Sequence, residues 1–207
     1  MHFKKTVLVM CFAAASHCSS ALAVGGPLGI DSKLNYDNEG IWKRSNQKAL
    51  MGVLIGGAIL GALWEGQDTR IGKTFYQAID ASIIGAASSE VLKRTFRRAR
   101  PNQTDDPNDW FKHGGRSFPS GEVTLAAAVV TPFVLEYGHD HPAVYALELI
   151  PLYDAVARMK THGHWQTDVL AGWALGTAAG YYSHSRGESL TVGVLPRGIT
   201  VGWKTKF

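Results

Sequence analysis

Three short clusters in the 207-residue sequence place residue types that can hold and attack an anion. In the first, Lys93 is followed after six residues by Arg100-Pro101. Near a helix end this spacing sends two cations toward one region from successive turns. That suits a phosphate group, because arginine offers a planar fork for two oxygens and lysine a mobile point charge. Basic residues at helix ends also complement the helix dipole, so this cluster alone decides nothing. The second cluster is Ser117-Phe118-Pro119-Ser120-Gly121-Glu122. Pro119 fixes the approach of the chain, Ser120 is an N-cap type, and Gly121 lets backbone come close to a ligand. Free N–H groups at the start of the following helix would point at an anion, although an ordinary capped helix start has the same composition. Ser120 lacks the Gly-x-Ser-x-Gly frame of a serine-hydrolase elbow and is better read as a phosphate donor than as a nucleophile. The third cluster is Arg158, then His164 after five residues and Asp168 after three more. His164 and Asp168 stand at i and i+4, so the spacing predicts one helix face for both. A carboxylate bonded to one imidazole nitrogen fixes the tautomer and leaves the other nitrogen free to attack.

In this order and with these spacings, the clusters resemble the type-2 phosphatidic acid phosphatase family. Its pattern is Lys-x6-Arg-Pro, then Pro-Ser-Gly-His, then Ser-Arg-x5-His-x3-Asp, and the resemblance covers Lys93 to Asp168. It implies an all-α helical bundle of the phosphatidic acid phosphatase/haloperoxidase type, and hydrolysis of phosphate monoesters without a metal or any other cofactor. It also implies roles residue by residue. Lys93, Arg100 and Arg158 would clamp the phosphoryl oxygens, with the Ser120 hydroxyl and the Gly121 amide adding donors. His164 would attack phosphorus, giving a phosphohistidine that water then hydrolyses, while Asp168 orients its ring. Fixed cations would neutralise the charge on the transferring group.

Two positions depart from the pattern. Ala157 stands where the third motif has Ser, and Glu122 stands where the second has the histidine that protonates the departing alkoxide. A glutamic acid can also be a general acid, but its reference pKa is about 4.3 against about 6.5 for histidine. A cationic pocket pushes it further down unless the group is desolvated. Three outcomes stay open: Glu122 works as an acid at low pH, His162 or His113 substitutes, or turnover is weak and the chain binds phosphate or lipid. Vanadium-dependent haloperoxidases share the fold but typically have a longer gap between the Lys and Arg of the first motif, so the gap of six favours phosphatase chemistry. A metal site of His162, His164 and Asp168 has the right ligand types, but Arg158 and Lys160 beside it argue against a bound cation. Phosphorylated small molecules and lipid phosphates both fit as substrates.

The elements that must position these clusters are helical. Asp37 or Asn38 caps a helix from Ile41 to Trp64. Its apolar part, Met51 to Trp64, falls short of the roughly 20 residues of a membrane span and reads as a buried core helix. Thr69 to Arg98 forms a second helix, softened near Gly85 and stopped at Arg100-Pro101. Asn102 to Phe118 is a long Pro/Asn/Asp/Gly-rich loop of the functional kind. Helices follow over Ser120 to Tyr137 with a kink at Pro132, over His141 to Met159 with an interruption at Pro151, and over His164 to Tyr182. The last carries Ala and Gly for close helix contacts. Leu190 to Leu195 and Ile199 to Lys204 flank Pro196-Arg197-Gly198 and read as a short β-hairpin. One hairpin cannot close a barrel, so it is a surface appendage. Met51 to Trp64, Leu125 to Leu135 and Val169 to Tyr182 are apolar enough to leave peripheral membrane contact open.

The chain as a whole sets the compartment. Lys4 and Lys5, the apolar run Thr6 to Ala15, and Ala21-Leu22-Ala23 read as a secretory signal peptide over residues 1–23, rather than a retained anchor. One helical domain, residues 24–189, would follow, with the hairpin of residues 190–207 appended. Both cysteines, Cys11 and Cys18, fall in the removed segment, which excludes disulfides, thiolate catalysis and cysteine-ligated metals in the mature chain. Export without disulfides suits a periplasmic or secreted protein. The formal net charge is +4, and Lys93, Arg94, Arg97, Arg98, Arg100, Lys112 and Arg116 crowd one stretch, as on a solvated basic face. No aromatic residues interleave with it in a nucleic-acid module, so nucleic acid is not an expected partner.

Overall fold

The computed structural model describes residues 25–187 and the backbone of 191–195 and 198–202. The expected signal peptide lies outside the described residues. Among those described, five α-helices make the body: α1 Arg44–Glu65, α2 Arg70–Phe96, α3 Gly121–Tyr137, α4 Leu149–Lys160 and α5 Gln166–Ser185. Short 3-10 turns at Gly40–Trp42 and Pro142–Glu148 lead into α1 and α4.

Helix α3 is the centre, packed most extensively against α5 and then α2. Its side chains are small on the packed faces, and Ala126, Ala127 and Ala128 are wholly buried. Helix α5 answers with glycine. A Cβ at Gly176 would lie 2.2 Å from the Thr124 carbonyl oxygen, and one at Gly172 2.5 Å from that of Ser120. Only glycine permits this backbone approach, as the sequence predicts for α5. The result locks the start of α5 against the start of α3 and so brings the second and third clusters together. Val123, Ala155 and Val169 close the core where α3, α4 and α5 meet.

Several predicted boundaries move. Helix α2 runs unbroken through Gly85, and its N-cap Thr69 accepts a hydrogen bond from the Gly72 amide at 3.0 Å. The first half of the expected His141 to Met159 helix is 3-10 instead, and α4 takes Pro151 within its first turn, where the missing N–H has no intrahelical acceptor to lose. Helix α3 continues through Pro132.

Two expectations are corrected outright. Helix α1 is not a buried core helix. It buries Gln47, Met51, Ala58 and Ala62 but exposes Val53, Leu60, Leu63 and Trp64, the last at 88%. At 22 residues it also has the length and composition of a membrane span, which Met51 to Trp64 alone lacks, and only 17% of its most apolar stretch is buried. Arg98 is not part of a solvated basic face: it is wholly buried. Its guanidinium bonds Asp31 Oδ2 at 2.6 Å, Asp168 Oδ1 at 2.8 Å, Thr167 Oγ1 at 2.7 Å and the Pro107 carbonyl, and lies over the Trp110 and Trp165 rings. This one side chain ties the leading segment and the loop after α2 to the start of α5. The hairpin tips, 190, 196–197 and 203–204, lie outside the described residues. Between them the backbone of β1, Thr191–Leu195, runs antiparallel to β2, Gly198–Gly202.

Candidate active site

His164 does not share a helix face with Asp168, because α5 starts only at Gln166. The ring sits just before the helix, 4% exposed, with Nδ1 2.7 Å from the Ser117 carbonyl oxygen. A carbonyl can only accept, so Nδ1 carries the proton and Nε2 keeps its lone pair. Asp168 Oδ2 is 3.7 Å from Nδ1, beyond hydrogen-bonding reach. It instead accepts the Ser117 hydroxyl at 2.5 Å and the Trp165 amide at 2.8 Å. The expected direct bond from Asp168 to the ring is therefore replaced by a relay, in which Asp168 holds Ser117 and the Ser117 carbonyl holds His164. Burial alone would raise the Asp168 carboxyl, but neighbouring His164, Arg98 and Ser117 outweigh it and keep it below the usual range. Burial, ahead of the charges on Arg158 and Lys93, pushes His164 down to about 3. The imidazole is neutral at any physiological pH.

Cations gather from separate elements. Lys93, in the last turn of α2, is 9% exposed and donates to the carbonyls of Pro119 and Arg116. Burial first, then Arg100, brings it down to about 8. Its Nζ would lie 3.9 Å from a Cβ on Gly121, which puts the start of α3 against the ammonium group. Arg158, on α4, is pushed down to about 10 by burial and by Arg44 and Arg100. Its Nη2 would be 2.3 Å from a Cβ at Gly163, so a glycine there lets the guanidinium lie under the loop. Arg100 is lowered by burial and by Arg44. These shifts record positive charges crowded into a dry region, which an anion would relieve.

The donors are also poised. Ser120 Oγ and Arg158 Nε are buried without a hydrogen-bond partner. The Ser120 amide is committed to the Asp168 carbonyl at 2.9 Å, but its hydroxyl does not cap α3, whose first turn is left uncapped by side chains. Ser89 Oγ, equally orphaned, lies 3.5 Å from the Cβ position of Gly121. The sequence offered no sign of it beyond its position one turn before Lys93.

Glu122 meets a partner that sequence reasoning missed. Arg44 forks it, Nη1 to Oε2 at 2.5 Å and Nη2 to Oε1, while Arg158 Nε lies 3.5 Å from Oε2. Arg44 opens α1, where the Asn38 side chain accepts its amide at 2.7 Å. Buried Gln47 links it to Arg158, accepting at 2.8 Å from Arg44 and 3.3 Å from Arg158. No local pattern connects residues 78 apart in the chain. Burial raises Glu122, yet the Arg44 hydrogen bonds and the charges of Arg158 and Arg44 win, holding it below the ordinary carboxylate range. Of the two histidines that could substitute for it, His162 turns Nε2 to the Leu34 carbonyl at 2.6 Å, and His113 is exposed in the loop. Among the described residues no group of three His, Cys, Asp or Glu side chains is arranged to hold a metal ion.

Comparison with known proteins places these residues in a family context. The sequence model of the PAP2 superfamily matches residues 77–188. A lipid A 1-phosphatase from Porphyromonas gingivalis is 34% identical over 89 residues, covering 42% of this chain but 18% of the relative. The crystal structure of Aquifex aeolicus LpxE aligns with a TM-score of 0.49 at 22% identity, over 67% of this chain and 83% of that one.

Proposed function

Because this chain belongs to the type-2 phosphatidic acid phosphatase (PAP2) superfamily, we propose that it hydrolyses phosphate monoesters of lipids, with His164 as nucleophile. The observation that carries this reading is the state of His164. Its Nδ1 proton is committed to Ser117, which leaves Nε2 as a lone pair under the positive charges of Arg158 and Lys93. The phosphoryl group would enter between these cations. Nε2 would displace the alkoxide and form a phosphohistidine, and water would then release phosphate. Fixed positive charge favours the transition state because charge concentrates there and no solvent has to reorganise.

Two observations support a lipid ester. The relative found in Porphyromonas gingivalis is a lipid A phosphatase, although this chain spans only 18% of its length. An apolar cavity of about 580 Å³ is lined by Phe96, Trp110, Phe118, Thr167 and Leu170 among others, and Phe118 and Thr167 adjoin the site residues Ser117 and Asp168 in the chain. The exposed apolar side of α1 would meet the bilayer, and the leader at residues 1–23 would export the chain to the periplasm or beyond. The Glu122–Arg44 pairing favours a second reading, phosphate binding without turnover, since an ionised carboxylate cannot protonate a leaving group.

One experiment separates them. Purified protein is incubated in detergent with phosphatidic acid, a lipid A phosphate and a soluble alkyl phosphate, and inorganic phosphate is measured. Release that disappears in His164→Ala, together with an acid-labile phosphoprotein trapped from wild type, supports hydrolysis. Tight binding of inorganic phosphate without any release selects the second reading.

A further inference from the structure

Asp154 is the least expected group in the molecule. It lies on α4 one turn before Arg158, wholly buried, and neither carboxyl oxygen has a hydrogen-bond partner. A carboxylate sealed from water without a partner is costly, and in practice such a group takes up a proton. The charges acting on it come from the site itself: Glu122 on α3, Arg44 on α1 and Arg158 on its own helix, with Tyr153 beside it in the chain. The acid on α5, Asp168, is committed to Ser117, Trp165 and Arg98. Burial, then the negative charge on Glu122, raises Asp154 to about 7, against the opposing pull of Arg158 and Arg44. Glu122 is held ionised by its Arg44 fork, whereas Asp154, one turn before the Arg158 that approaches Glu122 to 3.5 Å, is held toward its protonated form by burial.

We propose that Asp154 is the proton store of this site, supplying through Glu122 the proton that the leaving oxygen needs. The inference rests on the phosphatase reading and adds to it the source of the proton. When a phosphoryl dianion enters, it competes for Arg158 and Arg44. Glu122 then loses the cations that keep it ionised and takes the proton of Asp154 through a water admitted with the substrate, since neither Asp154 oxygen bonds Glu122 directly, leaving Asp154 as carboxylate. As the bond between phosphorus and the ester oxygen breaks and that from His164 Nε2 to phosphorus forms, Glu122 gives the proton to the departing oxygen, which leaves as the alcohol. Water attacking the phosphohistidine loses its proton to Glu122, from which it returns to Asp154. The net change is ester plus water to alcohol plus phosphate. Asp154 acts through Glu122 and does not touch the substrate.

The test uses leaving groups of unequal need. An alkyl phosphate requires protonation of its oxygen, whereas p-nitrophenyl phosphate leaves as a stable anion. Asp154→Asn is expected to lower kcat on the alkyl ester at least tenfold, within the range general acids contribute, with KM unchanged and the p-nitrophenyl ester affected less than about threefold. The alkyl-ester kcat of wild type should fall as pH rises past about 7, and that limb should vanish in Asp154→Asn. Infrared spectra of the resting protein at pH 6 should show a protonated-carboxyl C=O band that the substitution removes. If the amide variant does not fold, Asp154→Leu takes its place, since it removes the unpartnered buried carboxyl altogether. Equal losses on both esters, or an unchanged carboxyl band, overturn the role of Asp154 while leaving the phosphatase reading intact. An inactive wild type overturns that reading instead and the proton-supply role with it.

Discussion

At the residue scale, the site depends on how burial and charge set protonation. His164 has a folded pKa of about 3 against about 6.5 when unfolded, so the folded state resists taking a proton. The stability this contributes is complete above pH 6.5 and is lost as pH falls from there toward 3. In nitrogen-15 NMR at pH 5, the His164 ring should still be neutral with its proton on Nδ1. A charged His164 ring at pH 5 would contradict the nucleophile geometry. Asp154 has the opposite sign. Its folded pKa of about 7 exceeds the unfolded value near 3.9, so its contribution is present at low pH and lost as pH rises from about 4 through 7.

At the scale of elements, the site is held by one buried cation between two acids. Arg98 joins Asp31, Asp168, Thr167 and the Pro107 carbonyl, and Asp31 in turn accepts the Thr167 amide at 2.7 Å. The relay from Asp168 through Ser117 to His164 hangs on this network. Arg98→Met should keep the packing against Trp110 and Trp165 but leave Asp31 and Asp168 without their counter-charge. Losing one partner of a buried ion pair typically costs about 3–5 kcal/mol, and urea unfolding should register a loss of that size. Adding Asp31→Asn should recover part of it, since one stranded charge is then gone. Helices α3 and α5, in contrast, need no charge to meet, because Gly172 and Gly176 let their backbones touch.

At the scale of the whole molecule, the exposed apolar side of α1 departs from a solvated surface. Leu60, Leu63 and Trp64 are 68%, 61% and 88% exposed, and a fully buried side chain of this kind contributes about 1.5–3 kcal/mol relative to exposure. A face of this type marks a contact with lipid or with another apolar surface. Replacing all three with serine should sharply reduce the fraction of protein that co-sediments with phospholipid vesicles. It should leave turnover of a soluble phosphate ester unchanged, because the three lie at the far end of α1 from Arg44. Unchanged sedimentation would remove the bilayer from the reading of α1.

The sequence by itself determined the helical class and the approximate extents of α2, α3 and α5, and it offered the residues proposed to grip a phosphate. Those features are written in local spacing, in turn residues and in clusters such as Lys93 with Arg100-Pro101, each read within a few turns of chain. Only the tertiary structure decided what holds His164, because the Ser117 carbonyl and the ring are brought together by the packing of α3 on α5 and not by the i, i+4 spacing. It likewise decided that Arg98 is an interior strut, that Arg44 forks Glu122, and that Asp154 is sealed without a partner. Contacts between distant residues, and the loss of water that sets their protonation, leave no periodic trace in a single chain. The departure at Glu122 was visible as a missing histidine. What surrounds it, the Arg44 fork and Arg158 Nε at 3.5 Å, emerged only once α1 and α4 were packed against α3.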